Sequence, residues 1–373
     1  MFNRRKLILM LGALSGLTAL GGLVKLFSKD TSTAKNDKGT NDMKLFPLNT
    51  QWSVLEPFIF FAYHHDKYPV GTKAFGPDHH DFHLRDMGQD FGGLNGYSMY
   101  HGEQVPGFPV HPHRGFETIT IVRKGYVDHS DSLGAAGRYG EGDVQWMTAG
   151  SGVQHSEMFP LLKQNEPNTL ELFQIWLNLP KKSKKVPPHF TMLWSEKIPK
   201  AKIEKENVGI NVIAGEFGGE RALPPPPDSW AADPENEVSI LILTFNKNGK
   251  VKIPKSKSAV NRVLYFFEGE KIVVNGQEVP AKTGVQISST EELEILNPSG
   301  MSEVLMLQAK PIGEPVFQHG PFVMNTREDI IQTIEDYNKT QFGGWPWKEH
   351  EMTHGPKLER FAKYPDGRIE KPV

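Results

Sequence analysis

The chain contains no cysteine among its 373 residues. Disulfides, thiolate metal sites and cysteine nucleophiles are therefore excluded. Any metal must rest on His, Asp or Glu, a donor set suited to iron, manganese, nickel, copper or a catalytic zinc. Charge of one sign is also lacking: 42 basic against 44 acidic side chains leave a formal −2, which removes the electrostatic case for binding nucleic acid. Long helix formers are scarce beside 36 Gly and 28 Pro, a balance that favours short strands joined by turns. The length suffices for two domains, each with its own core.

The N-terminus reads as a targeting segment. Asn3-Arg4-Arg5-Lys6 is a basic head, Leu7 to Val24 is an uncharged apolar run broken by glycines, and Ser28 to Asn41 is a polar linker. Residues 1–43 are expected to be a signal or anchor segment plus linker. The Arg4-Arg5 pair partly resembles a twin-arginine export signal, and an uncleaved anchor fits equally well. Either way the protein is expected to be exported, periplasmic or extracellular, or membrane-anchored, with membrane contact through this segment alone.

From Lys44 onward the pattern is of short strands. Phe58-Ile59-Phe60-Phe61, Glu117 to Arg123, Val144 to Met147 and Leu170 to Leu179 carry the first half. Val208 to Ala214, Val238 to Thr244, Arg262 to Phe267, Lys271 to Val274 and Val304 to Gln308 carry the second, with Asn275-Gly276 as a hairpin turn. These halves predict an all-β fold of two tandem jelly-roll barrels, residues 44–185 and 186–325. One helix should follow, within 326–373: Thr326 caps it, Asp329 completes a capping box, Ile330, Ile331, Ile334 and Tyr337 form its apolar face, and Gly343-Gly344 stops it.

The chemistry concentrates in His111-Pro112-His113-Arg114-Gly115-Phe116-Glu117-Thr118 and Gly152-Val153-Gln154-His155-Ser156-Glu157. Side chains alternate along a strand, so His111 and His113 share a face, as do His155 and Glu157. Side by side, two such strands would aim three imidazoles and a carboxylate at one point, a metal-ligand set. The second half has no histidine between His189 and His319 and cannot rebuild such a site.

These two segments, with Gly142 to Gly150, His155-Ser156-Glu157-Met158 and Gln318 to Thr326, resemble the pirin family of bicupins in order and spacing from about Trp52 to Phe342. The resemblance implies two cupin barrels, the first holding a mononuclear metal, usually iron(II), with manganese, nickel, copper and zinc also compatible, and the second without metal. It places the ligands on His111, His113, His155 and Glu157. In the wider cupin superfamily the Glu at the position of Glu117 is a ligand; in pirins the Glu after the third histidine takes that role. Glu117 is therefore expected nearby, as a hydrogen-bonding partner outside the ligand set, with pairing to Arg114 or Arg123 the plain alternative.

Several members of the family resemble flavonol 2,3-dioxygenases. The resemblance thus implies a quercetin-type enolic aromatic substrate and dioxygen as partners, with Glu157 or Glu117 as the general base. Phe116, Trp146, Met147 and Phe159 are candidates to line the pocket. The alternative is a non-enzymatic, iron-dependent redox-sensing regulatory protein, which the N-terminal segment disfavours. A zinc or manganese hydrolase or isomerase would use the same ligands. A monomer is expected. The other histidines, His64-His65, His79, His80 and His83, read as solvated or as a pocket rim with His101. His319 reads as structural, and Lys181 to Lys185 as a solvated connector.

Overall fold

A computed structural model describes residues 43–372 apart from 204 and 205, so the expected targeting segment lies outside the described residues except for Met43. No helix among the described residues is long and apolar enough to cross a membrane. The strands of the first half are β1 (Lys44–Pro47), β2 (Phe58–Tyr68), β3 (Gly107–His113), β4 (Phe116–Lys124), β5 (Tyr126–Asp131), β6 (Ala136–Gly140), β7 (Val144–Thr148), β8 (Val153–Met158), β9 (Asn168–Asn178) and β10 (His189–Leu193). Apart from β1, they form two antiparallel sheets, ordered β10-β7-β4-β9-β2 and β6-β5-β8-β3.

The second barrel repeats this order in eight strands, its larger sheet continuing past Ser239–Phe245 through Val208–Ala214 and Lys200–Ile203. Thr283–Gln286, Asn261–Glu268, Ser302–Ala309 and Ser239–Phe245 stand as β7, β4, β9 and β2 do. Gln277–Pro280, Lys271–Val274, Leu293–Asn297 and Gly249–Ile253 stand as β6, β5, β8 and β3. The fold is thus two tandem cupin barrels with, among the described residues, one α-helix. The outermost strands are exchanged relative to the sequence boundaries. β1 pairs with Thr283–Gln286 in the second barrel, while β10, beyond residue 186, pairs with β7 in the first. An edge strand takes whatever unpaired edge the tertiary fold offers, and its own alternation does not say which.

The barrels meet sheet to sheet. Ile119, Ile121, Ile175 and Leu177 pack in one cluster with Ile240, Ile242, Val263, Leu305 and Leu307. Trp52 lies flat against Phe61 at 4.5 Å and against Tyr265 at 5.3 Å, carrying the layer across the junction. Each fully buried side chain of this kind stabilises by about 1.5–3 kcal/mol. At the edge, Arg123 bridges Glu171 of the first barrel and Glu303 of the second, both at 2.5 Å.

Helix α1 (Arg327–Thr340) starts as expected: Thr326 Oγ1 accepts the Asp329 amide at 3.0 Å and donates to the Asp329 carboxylate at 2.8 Å. Its buried face is Ile330, Thr333 and Tyr337, whereas Ile331 is 49% exposed. Thr333 replaces Ile331 in the stripe because its hydroxyl is satisfied internally, donating to the Asp329 carbonyl at 2.8 Å. The helix braces two residues that adjoin histidines. Asp336 accepts from Arg114 at 2.7 Å, and Tyr337 donates to the Gln154 side chain at 2.9 Å.

Beyond the helix the chain returns over the first barrel. His354 donates its amide to Asp128, itself bound bidentately by Arg138 at 2.6 and 2.7 Å, and Phe361–Lys363 extends the sheet at β6. Glu351 accepts from the amides of Glu103, Gln104 and Val105, fixing the loop that precedes β3.

The lysine run is only partly a solvated connector. Lys181, Lys182 and Lys185 are exposed, but Lys184 is 1% exposed. Its ammonium donates to the Gly115 carbonyl at 2.8 Å, Asn178 Oδ1 at 2.7 Å and the Val323 carbonyl at 3.0 Å. It thereby pins the turn between β3 and β4. Lys184→Met leaves three buried acceptors without a donor and should cost roughly 2–4 kcal/mol. Thermal unfolding should show a midpoint lower by roughly 5–10 °C, against a change under about 0.5 kcal/mol for Lys185→Met. Equal midpoints for the two variants would show that the Lys184 contacts carry no stability.

Candidate metal centre

β3 and β8 run antiparallel, with His111 opposite His155 and His113 opposite Val153. Alternation then turns His111, His113 and His155 to the barrel interior, where their ligand atoms lie within 4.8 Å of one another. The turn that ends β3 depends on Gly115, at φ +85°, where a Cβ would stand 2.1 Å from the Val323 carbonyl oxygen. Gly152, at φ +126°, opens β8 in the same way, with Phe342 in the space a Cβ would fill.

His111 Nδ1 donates to the Pro109 carbonyl at 2.8 Å, so its Nε2 presents a lone pair, 3.1 Å from His113 Nε2. Nitrogens sharing one ion at bonds of about 2.1 Å and a right angle stand ~3 Å apart. His155 is fully buried and neither of its ring nitrogens has a hydrogen-bond partner among the described residues. Burial holds the His111 imidazole down to about pKa 4; burial and the neighbouring rings hold His113 and His155 well below the usual histidine range. All three are therefore neutral donors at physiological pH, which is the form a metal requires. The residues present fit a metal.

Glu157 lies on the same strand face, its Oε2 3.8 Å from His155 Nε2. Oε2 accepts from Gln174 at 2.8 Å, and Oε1 accepts from Thr120 at 3.1 Å. Burial raises its carboxyl pKa, and His129 with these donors pulls it back. The three-histidine cluster within 4.8 Å does not include this carboxylate.

Glu117 is elsewhere. It accepts from Thr148 at 2.7 Å and from Ser229 of the second barrel at 2.5 Å, on the face of β4 that packs between the barrels. Its expected place beside the ligands is corrected for a simple reason. His113 is on β3 and Glu117 on β4, so the Arg114–Gly115 turn between them breaks the count of parity. Inside the barrel β4 presents Thr118 and Thr120 instead. Nor does Glu117 pair with Arg114, held by Asp336 and Ser151, or with Arg123.

A cavity of about 30 Å³ opens over the imidazoles, walled by His101, Phe108, Gln174 and Trp176. Phe108 reaches it because a bulge between Phe108 and His111 re-aims its side chain. Of the expected pocket residues, Phe116 stacks edge-on behind His113 at 5.1 Å. Trp146 faces the interbarrel core, and Met147 and Phe159 pack in the barrel's own core. His129, opposite Glu157 on β5 and 5.5 Å from the His155 ring, gave no sequence signal because it sits alone in its strand. His79, His80, His83 and His319 are exposed, while His64 is buried against Tyr100.

Glu117 supplies a pH test. Burial raises its pKa to about 7 despite the Ser229 and Thr148 donors. Between its unfolded value near 4.5 and about 7 the folded state binds the extra proton, so stability falls as pH rises through that window. Glu117→Gln should remove that fall and be more stable than the parent at pH 8 by on the order of 2–3 kcal/mol. Denaturant unfolding at pH 5 and pH 8 measures it; parallel pH profiles would rule the assignment out.

Residues 39–177 match the pirin family and residues 241–343 match the pirin C-terminal cupin domain. A Pseudomonas aeruginosa protein provisionally named as a quercetin 2,3-dioxygenase is 36% identical over 64% of this chain and 80% of its own length. A tomato (Solanum lycopersicum) pirin-like protein is 36% identical over 63% of this chain and 76% of its own. The crystal structure of a quercetin 2,3-dioxygenase from Acinetobacter baumannii superposes with a TM-score of 0.64 at 27% identity, covering 81% of this chain and 97% of that one. With its paired cupin barrels and its cluster of three imidazoles, the chain belongs to the pirin family.

Proposed function

We propose that the protein is a mononuclear metal-dependent dioxygenase acting on quercetin-like flavonols, with His111, His113, His155 and Glu157 as the ligand set and iron(II) as the metal. The observation that carries this is the convergence of three neutral imidazoles, His113 and His155 buried and His111 half-buried, with both nitrogens of His155 unpartnered among the described residues. The relatives named for quercetin dioxygenase activity support the substrate class. When bound, the metal would supply Lewis acidity toward an enolic oxygen and a site for dioxygen. The chain supplies the rest. Phe108 and Trp176 offer aromatic faces to a flat substrate, and Gln174 and Thr120 orient Glu157. Glu157, with its raised pKa, is the group placed to accept the enol proton. A three-ring substrate exceeds a space of about 30 Å³, so binding displaces the wall of His101, Phe108 and Trp176.

That narrow space also favours a second reading, a metal-bearing, redox-responsive binding protein with no turnover. The basic head and apolar run at the N-terminus support export or membrane anchoring, which weighs toward the enzyme. We place the protein outside the cytoplasm or on the membrane, as a monomer.

His113→Ala should lower metal content at least tenfold by elemental analysis while preserving the β circular dichroism spectrum; full retention would sink the metal assignment. Glu157→Gln should weaken metal affinity by about 10–100-fold and Glu117→Gln by less than about twofold. The reverse ranking would return Glu117 to the ligand set. Iron-loaded protein should consume dioxygen with quercetin and release carbon monoxide. No consumption across a flavonol panel would leave the binding reading ahead.

A further inference from the structure

The second barrel holds an unassigned pocket at the end that matches the first barrel's metal centre. Between the strands equivalent to β3 and β8, Ile253 pairs with Leu293 and Val251 with Ile295 as His113 pairs with Val153 and His111 with His155, so buried apolar Ile253, Val251 and Ile295 stand where the first barrel has histidines. Beside them is a cavity of about 550 Å³, walled by Leu223, Val238, Leu241 and Met306 and closed on one side by Trp146 of the first barrel. Its size falls in the range of small-molecule sites.

Arg262 stands in this wall, 1% exposed. Its Nε donates to Gln308 Oε1 at 2.7 Å and its Nη2 to the Pro254 carbonyl at 2.9 Å, but Nη1 has no acceptor among the described residues. Burial lowers its pKa to about 10, opposed only by Glu237. Glu237 is itself occupied, accepting from the amides of Lys257 and Ser258 and from the Ser258 hydroxyl at 2.8–2.9 Å. Of the other acids on the wall, Glu216 pairs with Arg221 at 3.1 Å and Asp233 accepts the Glu235 amide at 3.0 Å. Lys255 and Lys257, both exposed, complete a lining of four cations against three carboxylates. A buried guanidinium with an unfilled donor, no ion-pair partner among the described residues and an apolar cavity alongside calls for an anion with an apolar body.

We propose that this cavity binds a small organic carboxylate, its charged group on Arg262 Nη1 and its apolar part against Leu223, Leu241 and Met306. The two barrels then use the same end of the same fold for different cations, a metal in the first and a guanidinium in the second. The proposal does not depend on the dioxygenase reading.

The test is calorimetric titration of the full-length, metal-loaded protein with benzoate, cinnamate and octanoate, and with their uncharged amides. At least one acid should bind at one site per chain, tenfold or more tighter than its amide. Arg262→Gln should weaken that binding at least tenfold with metal content unchanged. Leu223→Trp, which narrows the cavity and leaves Arg262 intact, should also abolish it, and it carries the test if Arg262→Gln does not fold. Absence of binding by all three acids, equal binding of acids and amides, or undiminished binding in the folded variants would overturn the proposal. So would binding lost in His113→Ala but kept in Arg262→Gln, which would move the ligand to the metal centre. Binding of inorganic phosphate with no binding of the acids would equally refute it.

Discussion

His111 and His155 face one another across two antiparallel strands, and a slip of one residue in that register would turn His155 and Glu157 out of the barrel together. The site therefore depends less on any single ligand than on what holds β3 against β8. Most of the surrounding structure serves that pairing. Lys184 pins the turn after β3, Arg114 in that turn is gripped by Asp336, and Gln154, adjoining His155, is held by Tyr337. The C-terminal helix touches no ligand directly, yet it fixes the neighbours of two of them.

The second barrel contributes in another way. By covering the outer faces of β4, β7 and β9 it makes β4 a two-sided element, with Thr118 and Thr120 turned to the metal side and Glu117, Ile119 and Ile121 to the interface. Glu117 is a carboxylate whose polarity is used between domains, through Ser229. Burial without a cationic partner is what raises its pKa, and the same physics acts on Arg262 with the opposite sign. The duplicated barrel has thus diverged at its mouth while keeping its strand order.

Much of this was readable in the residues. Period-two alternation is a local property, so the strands around His111, His113 and His155 and their shared face could be read without knowing the fold. The capping box of α1 was equally local, and its Thr326–Asp329 contacts formed as expected. Reading failed wherever a turn or a distant partner intervened. The resemblance put Glu117 beside the ligands, but the turn at Gly115 sets it on the opposite face of its sheet. The bulge at Phe108 brought a side chain to the cavity that alternation would have sent away. Lys184 looked like its exposed neighbours because only the packing of Gly115 and Val323 around it makes it buried.

The sequence by itself determined the strand alternation, the three convergent imidazoles and the absence of a second histidine set, because each follows from residue type and spacing along one strand. Tertiary structure alone decided where Glu117 points, which edge β1 and β10 join, what walls the cavity and that Arg262 has no ion-pair partner among the described residues. Those outcomes depend on which surfaces meet across the chain, and the energy of burying or pairing a group is set by the partner it meets rather than by its neighbours in sequence.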